Sequence, residues 1–215
     1  MAFSDKMILQ KKKARTLTYR HQERTDITRS RFLQAAEKIF ARDGFEAAKL
    51  EEIAAEAGYT RGAFYSNFDT KEDLFLAMLE REITTRIETV RKHVAKYEKP
   101  AQRLGALREF WLDTCLDRRW SLLALEFKLF AVRHPEVKAR LAAMHRKLVA
   151  SGVEILEQVM TDVGRELPVP AYATGKALYA ASSGLTLEHM LDRTAMPEDA
   201  IRKIMRSLFD ALTAG

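Results

Sequence analysis

Residues Thr60 to Asn67, TRGAFYSN, gather the side chains of this chain best suited to recognition chemistry. A guanidinium (Arg61), a phenol (Tyr65), an amide (Asn67) and two hydroxyls (Thr60, Ser66) stand within about two helical turns, spaced by Gly62, Ala63 and Phe64. A helix whose outward face is small and polar can approach phosphates and base edges closely, where a bulky apolar face could not. Catalytic sets are missing from the pattern. There is no Ser/His/Asp arrangement, no metal-spaced His/Glu pair and no phosphate-cradling glycine loop, so the chain does not read as an enzyme. No cofactor and no metal site is expected.

The letters around this segment say how it is held. Leu50, Ile53, Ala54 and Ala57 fall at i, i+3, i+4 and i+7, one apolar stripe on one short helix. Gly58 follows where a left-handed residue closes a helix at least cost. Thr60 is a good N-cap for the second short helix. Phe64 and Phe68, four apart, can pin that helix to a core. Thr70 with Asp73 three residues on reads as a reciprocal cap for a third helix. Upstream, Phe32, Ala35, Ala36, Ile39 and Phe40 form a helical stripe capped by Thr25 or Asp26 and stopped at Asp43-Gly44. Two short amphipathic helices around a glycine also occur in ordinary bundles, so spacing alone leaves a packed-helix reading open.

The stretch IFARDGFEAAKLEEIAAEAGYTRGAFYSNFDTKEDLF resembles the DNA-binding domain of the TetR family of bacterial transcriptional regulators, from Arg24 to about Glu80. The matching letters are Ala36 and Phe40, Gly44-Phe45, Ile53 to Gly58, Thr60 to Ala63, Tyr65 to Phe68 and Thr70 to Glu72. GYTRGAFYSNF is similar to one large subgroup of that family. The resemblance implies an all-α fold of about nine helices: a three-helix DNA-binding domain with a helix-turn-helix at about 49–68, then a helical ligand-binding and dimerisation domain. It implies a ligand-responsive repressor, a homodimer on a palindromic operator; the alternative is a helical DNA-binding or interaction protein without an effector. Tyr65 and Lys71 would hold phosphates, with Thr60 helping through its hydroxyl or amide. Arg61, Ala63 and Asn67 would sit nearest base edges, Arg61 on a guanine and Asn67 on an adenine or a phosphate, with Gly62 permitting close approach.

Two departures from the family pattern stand out. Ala48 and Lys49 replace the usual Thr or Ser, so Lys49 would touch the phosphate as a flexible point charge while the cap of the first short helix goes unexplained. Tyr59 replaces a small apolar residue and either packs sideways or adds a backbone contact.

The chain has 215 residues, 47% of them hydrophobic, with a net charge of +6 and a pI near 9.4. That length suits one small DNA-binding domain (24–84) and one larger helical domain (85–215). Residues 1–24 hold seven Lys/Arg against two acids, while residues 50–80 hold two against seven. The basic segment 1–23, expected to be flexible, reads either as a solvated tail or as an arm tracking phosphates or the minor groove. Met7 offers a second translation start. No apolar run is long enough to span a bilayer and the N-terminus lacks the apolar core of a signal peptide, so a cytoplasmic protein is expected.

Beyond residue 80 the periodicity stays helical. Leu74, Phe75, Met78, Leu79, Ile83, Ile87, Val90, Val94 and Tyr97 trace one helix from Lys71 to about Glu98, about 40 Å long at 1.5 Å per residue. Helices over 101–117, 120–133 and 135–163 follow. The segment AYATGKALYAASSGLTLEHML (about 171–192) is rich in small residues, and 197–213 carries an apolar stripe. Both could complete an intrachain core; the resemblance implies that they form the dimer interface. It also implies a pocket in this domain, for which Leu107, Phe110, Trp111, Cys115, Trp120, Phe127, Phe130, Met144 and Met190 are candidates, most of them equally at home in a core. The lone cysteine, Cys115, excludes an intrachain disulfide and reads as a small buried hydrophobe. His145 and His189 are candidates to orient a polar group, and His134 to end a helix.

Overall fold

The computed structural model describes the backbone of residues 2–214 and the side chains of residues 23–214 other than Cys115 and Leu148. Among the described residues there are nine helices and no strand. They are α1 (Ala2–Ala47), α2 (Leu50–Ala57), α3 (Arg61–Tyr65), α4 (Lys71–Val94), α5 (Pro100–Cys115), α6 (Arg118–Arg133), α7 (Pro135–Asp162), α8 (Ala171–Leu191) and α9 (Glu198–Leu212). The chain divides into two compact units, Met1–Met78 and Leu79–Gly215.

In the first unit α1 packs on α2 and α2 on α3. The core is a run of phenylalanines contributed by α1, α3 and the residues just after it, and the start of α4, with Ile53, Ala54 and Ala57 buried from α2. Phe32 meets Phe64 and Phe68 edge to face at 5.7 and 6.2 Å, and Phe40, Phe45 and Phe75 close a second group at 5.2–5.5 Å. Each fully buried ring contributes roughly 1.5–3 kcal/mol of transfer free energy, so Phe64 and Phe68 do pin the short α3. A break stands at Gly44, whose φ of 79° interrupts the run of α1. Thr25 and Asp26 do not cap α1, which is a correction to the sequence reading. Residues 1–43 contain neither Gly nor Pro, and the helix runs through both positions, with the Thr28 hydroxyl bonded to the Arg24 carbonyl inside it. The side chains of the basic arm up to Gln22 lie outside the described residues.

In the second unit α5 packs on α7, α8 and α9, α6 on α7 and α8, α7 on α8, and α8 on α9. Val90, Leu107, Leu156, Val159, Leu178 and Phe209 form its main core, and Leu112, Ile201 and Met205 a second cluster. The helix α4 ends at Val94, a turn before the periodicity suggests. Pro100 disfavours helical backbone at Lys99, and the chain relaxes through i→i−3 bonds from Lys96 and Tyr97. The freed Tyr97 carbonyl accepts from Arg103 Nε at 2.8 Å.

Candidate nucleic-acid interface and effector cavity

The interface is built from local rules. Gly58, at φ 77°, ends α2 in the left-handed conformation, and the amides of Gly58 and Tyr59 bond to Ala55 and Ala54. Tyr59 packs sideways: it stacks on Phe32 at 5.5 Å and its hydroxyl accepts from Thr28 at 3.2 Å. Thr60 caps α3, its hydroxyl accepting from the Ala63 amide at 3.3 Å. Thr70 and Asp73 form the reciprocal cap, each side chain accepting the other's amide at 2.9–3.1 Å. Lys49 occupies the N-cap of α2 without a side-chain cap bond. Glu51 and Glu52 in the first turn are the groups that favour that helix end.

On α3 the buried and presented residues alternate as the sequence demands. Phe64 is fully buried while its neighbour Tyr65 is 47% exposed, and Arg61, Gly62 and Ser66 are exposed. Arg61 donates to Glu51 at 2.7 Å and to the Tyr65 hydroxyl at 3.2 Å. Tyr65 and Glu51 together favour its charged form. The three acids of α2 each meet a base: Glu51 with Arg61, Glu52 with Arg42, Glu56 with Lys38. Their negative charge thus braces the fold at a surface cost near zero.

A methyl group at Gly62 would touch only the Thr60 hydroxyl, at an ordinary 3.7 Å. Nothing inside the chain requires glycine there, although glycine costs a helix roughly 0.5–1 kcal/mol relative to alanine.

Two expected contacts are placed differently. Lys71 turns inward: its ammonium donates to the Glu46 and Ala48 carbonyls at 2.9 and 3.0 Å and lies 4.9 Å from the centre of the Phe45 ring. Burial holds its pKa below the usual lysine range. Asn67 is half-buried; its Nδ2 donates to the Ala63 carbonyl at 2.8 Å, and its Oδ1 is closed off without a partner. Arg61, Gly62 and Tyr65 therefore form one outward face with Thr60 and the half-buried Ala63 beside them, and Lys71 and Asn67 stand apart from it.

The second unit holds a cavity of about 300 Å³. Leu107, Phe110, Trp111 and Trp120 line it, as expected. Phe127, Phe130, Met144 and Met190 lie outside its wall. Phe127 packs on Phe130 at 6.1 Å, and Phe130 stacks on His134 at 3.9 Å, an aromatic run that closes the end of α6. The Cys115 side chain lies outside the described residues. His145 lines the cavity and His189 does not. His189, buried at 3% exposure, is held by Arg118 at 2.5 Å on Nε2 and by the Met196 carbonyl at 2.7 Å on Nδ1. Arginine only donates, so Nε2 accepts and Nδ1 carries the hydrogen: a satisfied core histidine.

Sequence reasoning missed the α4 wall (Leu79, Ile83, Arg86, Ile87, Val90) and the α8 wall (Gly175, Leu178, Tyr179, Ser182, Ser183). An available signal was Arg86, a lone cation inside the apolar stripe of α4. It donates to Glu82 at 2.6 Å, to Asp117 at 2.7 Å and to the Thr114 carbonyl at 3.3 Å, fastening α4 to the α5–α6 turn.

Residues 32–78 match the family described as bacterial regulatory proteins of the tetR family, and residues 95–211 match the tetracyclin repressor-like C-terminal domain. The chain belongs to the TetR family. It is 34% identical over 88 residues to the HTH-type transcriptional activator FasR of Mycolicibacterium smegmatis, covering 41% of this chain and 40% of that one. It is 26% identical to the HTH-type transcriptional repressor NicS of Pseudomonas putida, over 79% of this chain and 74% of the relative. The chain spans less than half the length of the first curated relatives it matches. The fold of this TetR-family chain is shared by the transcriptional regulator FadR from Bacillus subtilis, solved in complex with stearoyl-CoA, with a TM-score of 0.65 and 14% identity over 86% of this chain and 97% of that one. No described helix is long and apolar enough to cross a membrane.

Proposed function

We propose that this chain is a cytoplasmic, ligand-responsive transcriptional repressor that binds a palindromic operator as a homodimer. Residues 24–84 would be its DNA-binding domain and 85–215 its effector-binding and dimerisation domain, with α3 of the GYTRGAFYSNF type inserted in the major groove. The observation that carries the reading is the outward face of α3, where Arg61, Gly62 and Tyr65 are exposed on a helix capped by Thr60. Arg61 would leave Glu51 for a guanine. A surface pair is worth about 0–1 kcal/mol, whereas a bidentate base contact supplies about 1–3 kcal/mol, so DNA wins the exchange. Tyr65 would bond a phosphate, and Lys71 would keep one ammonium proton for the same purpose. Lys49, exposed at the start of α2, would add a second charge.

An exposed stripe on α8 supports dimerisation. Ala173, Ala177, Ala180, Gly184, Leu187 and Leu191 recur every three or four residues along one side, all exposed. Small residues of this kind let two helices approach closely, and Leu191 is 73% exposed. The α8 and α9 helices of two subunits would pair along it. Two recognition helices held about 34 Å apart then read two half-sites.

The cavity supports an effector over the alternative of a binding protein without one. Helix α4 starts at Lys71 and supplies cavity-wall residues from Leu79 to Val90. A ligand there would favour a state whose recognition helices no longer match one turn of DNA, with a coupling of about 1–3 kcal/mol. Selection of binding sites from fragmented genomic DNA, followed by footprinting, tests the reading. A short inverted repeat, protected on one face, is the expected result. Uniform, salt-sensitive coating of any duplex would replace it with a packaging role.

A further inference from the structure

The cavity wall contains no Asp or Glu among the described residues. The polar groups in this wall and just behind it fall into sets with opposite electrostatics: Arg86, His145 and Tyr179 line the cavity, and Lys128 and Lys176 stand behind His145 and Tyr179. Arg86 is neutralised by Glu82 and Asp117. The other set has no acid. His145 of α7 and Tyr179 of α8 meet edge to face at 5.1 Å in the wall. Lys176 of α8 places its Nζ 2.9 Å from His145 Nδ1, and Lys128 of α6 places its Nζ 4.1 Å from the centre of the Tyr179 ring. The charges that bear on Lys176 are those of Lys128 and Arg146, both positive.

This arrangement is unfavourable as it stands. Like charges crowd beside an apolar wall, and burial strips the water that would screen them. Burial, with Lys176 and Lys128 beside it, pushes His145 down to about 4. The ring is therefore neutral at neutral pH. An ammonium has donors only, so Nδ1 of His145 accepts from Lys176 and Nε2 carries the hydrogen. The cluster thus offers an N–H and ammonium protons without an acceptor charge of its own.

We propose that His145, with Lys176 and Lys128 behind it, forms the anion-recognition end of the cavity, and that the effector is an amphipathic carboxylate, one anionic head on an apolar chain. The proposal rests on the effector reading given above. The aliphatic and aromatic wall takes the chain by burial of apolar surface. The carboxylate accepts from the His145 Nε2–H, a donor strengthened by the Lys176 ammonium on Nδ1, while Lys176 and Lys128 supply positive potential from behind. A neutral ligand would leave the lysines uncompensated, and a cation would be repelled. An anion at Nε2 opposes the two lysines and raises the His145 pKa from its depressed value, so proton uptake on binding grows as pH falls toward that pKa.

Trp111 and Trp120 stand in the wall, so intrinsic fluorescence of the full chain reports occupancy. The probes are decanoate, decanol and decylammonium, each below its aggregation threshold. Decanoate is expected to bind at least tenfold tighter than decanol, with decylammonium weakest. Lys176→Met should erase that preference while decanol still binds, and by relieving the like-charge crowding it should leave the melting temperature no lower. Should Lys176→Met misfold, Lys128→Met carries the same test with a smaller loss. Equal affinity for decanoate and decanol, or a preference that survives both substitutions, overturns the anion site and leaves an apolar effector cavity standing. No response to any probe overturns the anion site and the effector reading together.

Discussion

On α3 the Arg61 guanidinium rests against Glu51 at 2.7 Å, both side chains 58% exposed. On α8 the Lys176 ammonium rests against a neutral imidazole at 2.9 Å, with only positive charges bearing on it. The contrast is between a cation held by an acid at the surface and one left without an acid beside a cavity. At the surface an acid can hold the cation in place, because water screens the pair and it breaks cheaply. Beside the cavity the cations differ: Arg86 is matched by Glu82 and Asp117, while Lys176 has only positive charges bearing on it. The first site is parked; the second is incomplete until filled.

The largest expected effects separate the face that reads from the residue that holds it up. Arg61→Ala should relax base preference at particular operator positions by about 1–3 kcal/mol each, read by a binding selection, with no loss of melting temperature. Unchanged position-by-position preference would remove Arg61 from the readout. Lys71→Ala should cost about 1–3 kcal/mol of stability in denaturant titration, because it leaves the Glu46 and Ala48 carbonyls without their donor. Tyr65→Phe should weaken binding across sequences and leave stability alone. If Lys71→Ala weakens binding and leaves stability unchanged, as Tyr65→Phe should, its role is phosphate contact alone, without support of the α1–α2 turn.

Legibility in the sequence follows the range of the forces involved. The end of α2 and the starts of α3 and α4 were readable because Gly58, Thr60 and the Thr70–Asp73 pair act over three or four residues, whereas the end of α4 was not. The start of α1 was not, because Thr25 and Asp26 are good caps in isolation and an unbroken run of helix formers overrides them. The TetR-family fold was legible from the dense stretch around GYTRGAFYSNF. The cavity was half legible. Trp111 and Trp120 line it, but Phe127 and Met144 have the same letters and lie elsewhere, since large apolar residues fill cores and line cavities alike. The α8 segment was read as a smooth helix for a partner, and one side of it does present small residues outward. Its other side, with Gly175, Tyr179 and Ser182, lines the cavity, which composition cannot divide. Asn67 was misjudged as outward because its spacing from Ala63 also lets its amide bond that carbonyl.

The cavity side of the comparison has a pH signature. His145 titrates at about 4 in the folded chain against 6.5 for an ordinary imidazole. Between those values the unfolded chain binds a proton that the folded chain refuses. Stability is therefore full above pH 6.5 and falls as pH drops toward 4, by about 1–2 kcal/mol after discounting for solvent at a partly exposed ring. Urea titrations across that range should show the slope, and His145→Gln should flatten it. A slope unaffected by the substitution would assign it to other groups. On the DNA side, Gly62→Ala should stabilise the fold by roughly 0.5–1 kcal/mol while weakening operator binding. Binding that improves along with stability would mean that nothing approaches Gly62 closely.

The smallest effect bears most directly on the parked cation. Glu51→Gln removes the charge that holds Arg61 and keeps the shape and hydrogen-bonding capacity of the side chain. Because the pair is exposed, its loss should cost the fold less than about 1 kcal/mol. Operator affinity should rise, since Arg61 no longer has to leave a carboxylate and one negative charge is withdrawn from the phosphate backbone. These two contributions separate by salt. Relief of repulsion weakens as ionic strength rises and acts equally on every duplex. Release of Arg61 persists in salt and favours the operator over other sequences. A gain of a few fold that survives added salt and is confined to the operator would establish Glu51 as the brake on readout. A gain that salt abolishes and that extends to random DNA would leave Glu51 as an acid near phosphates and nothing more.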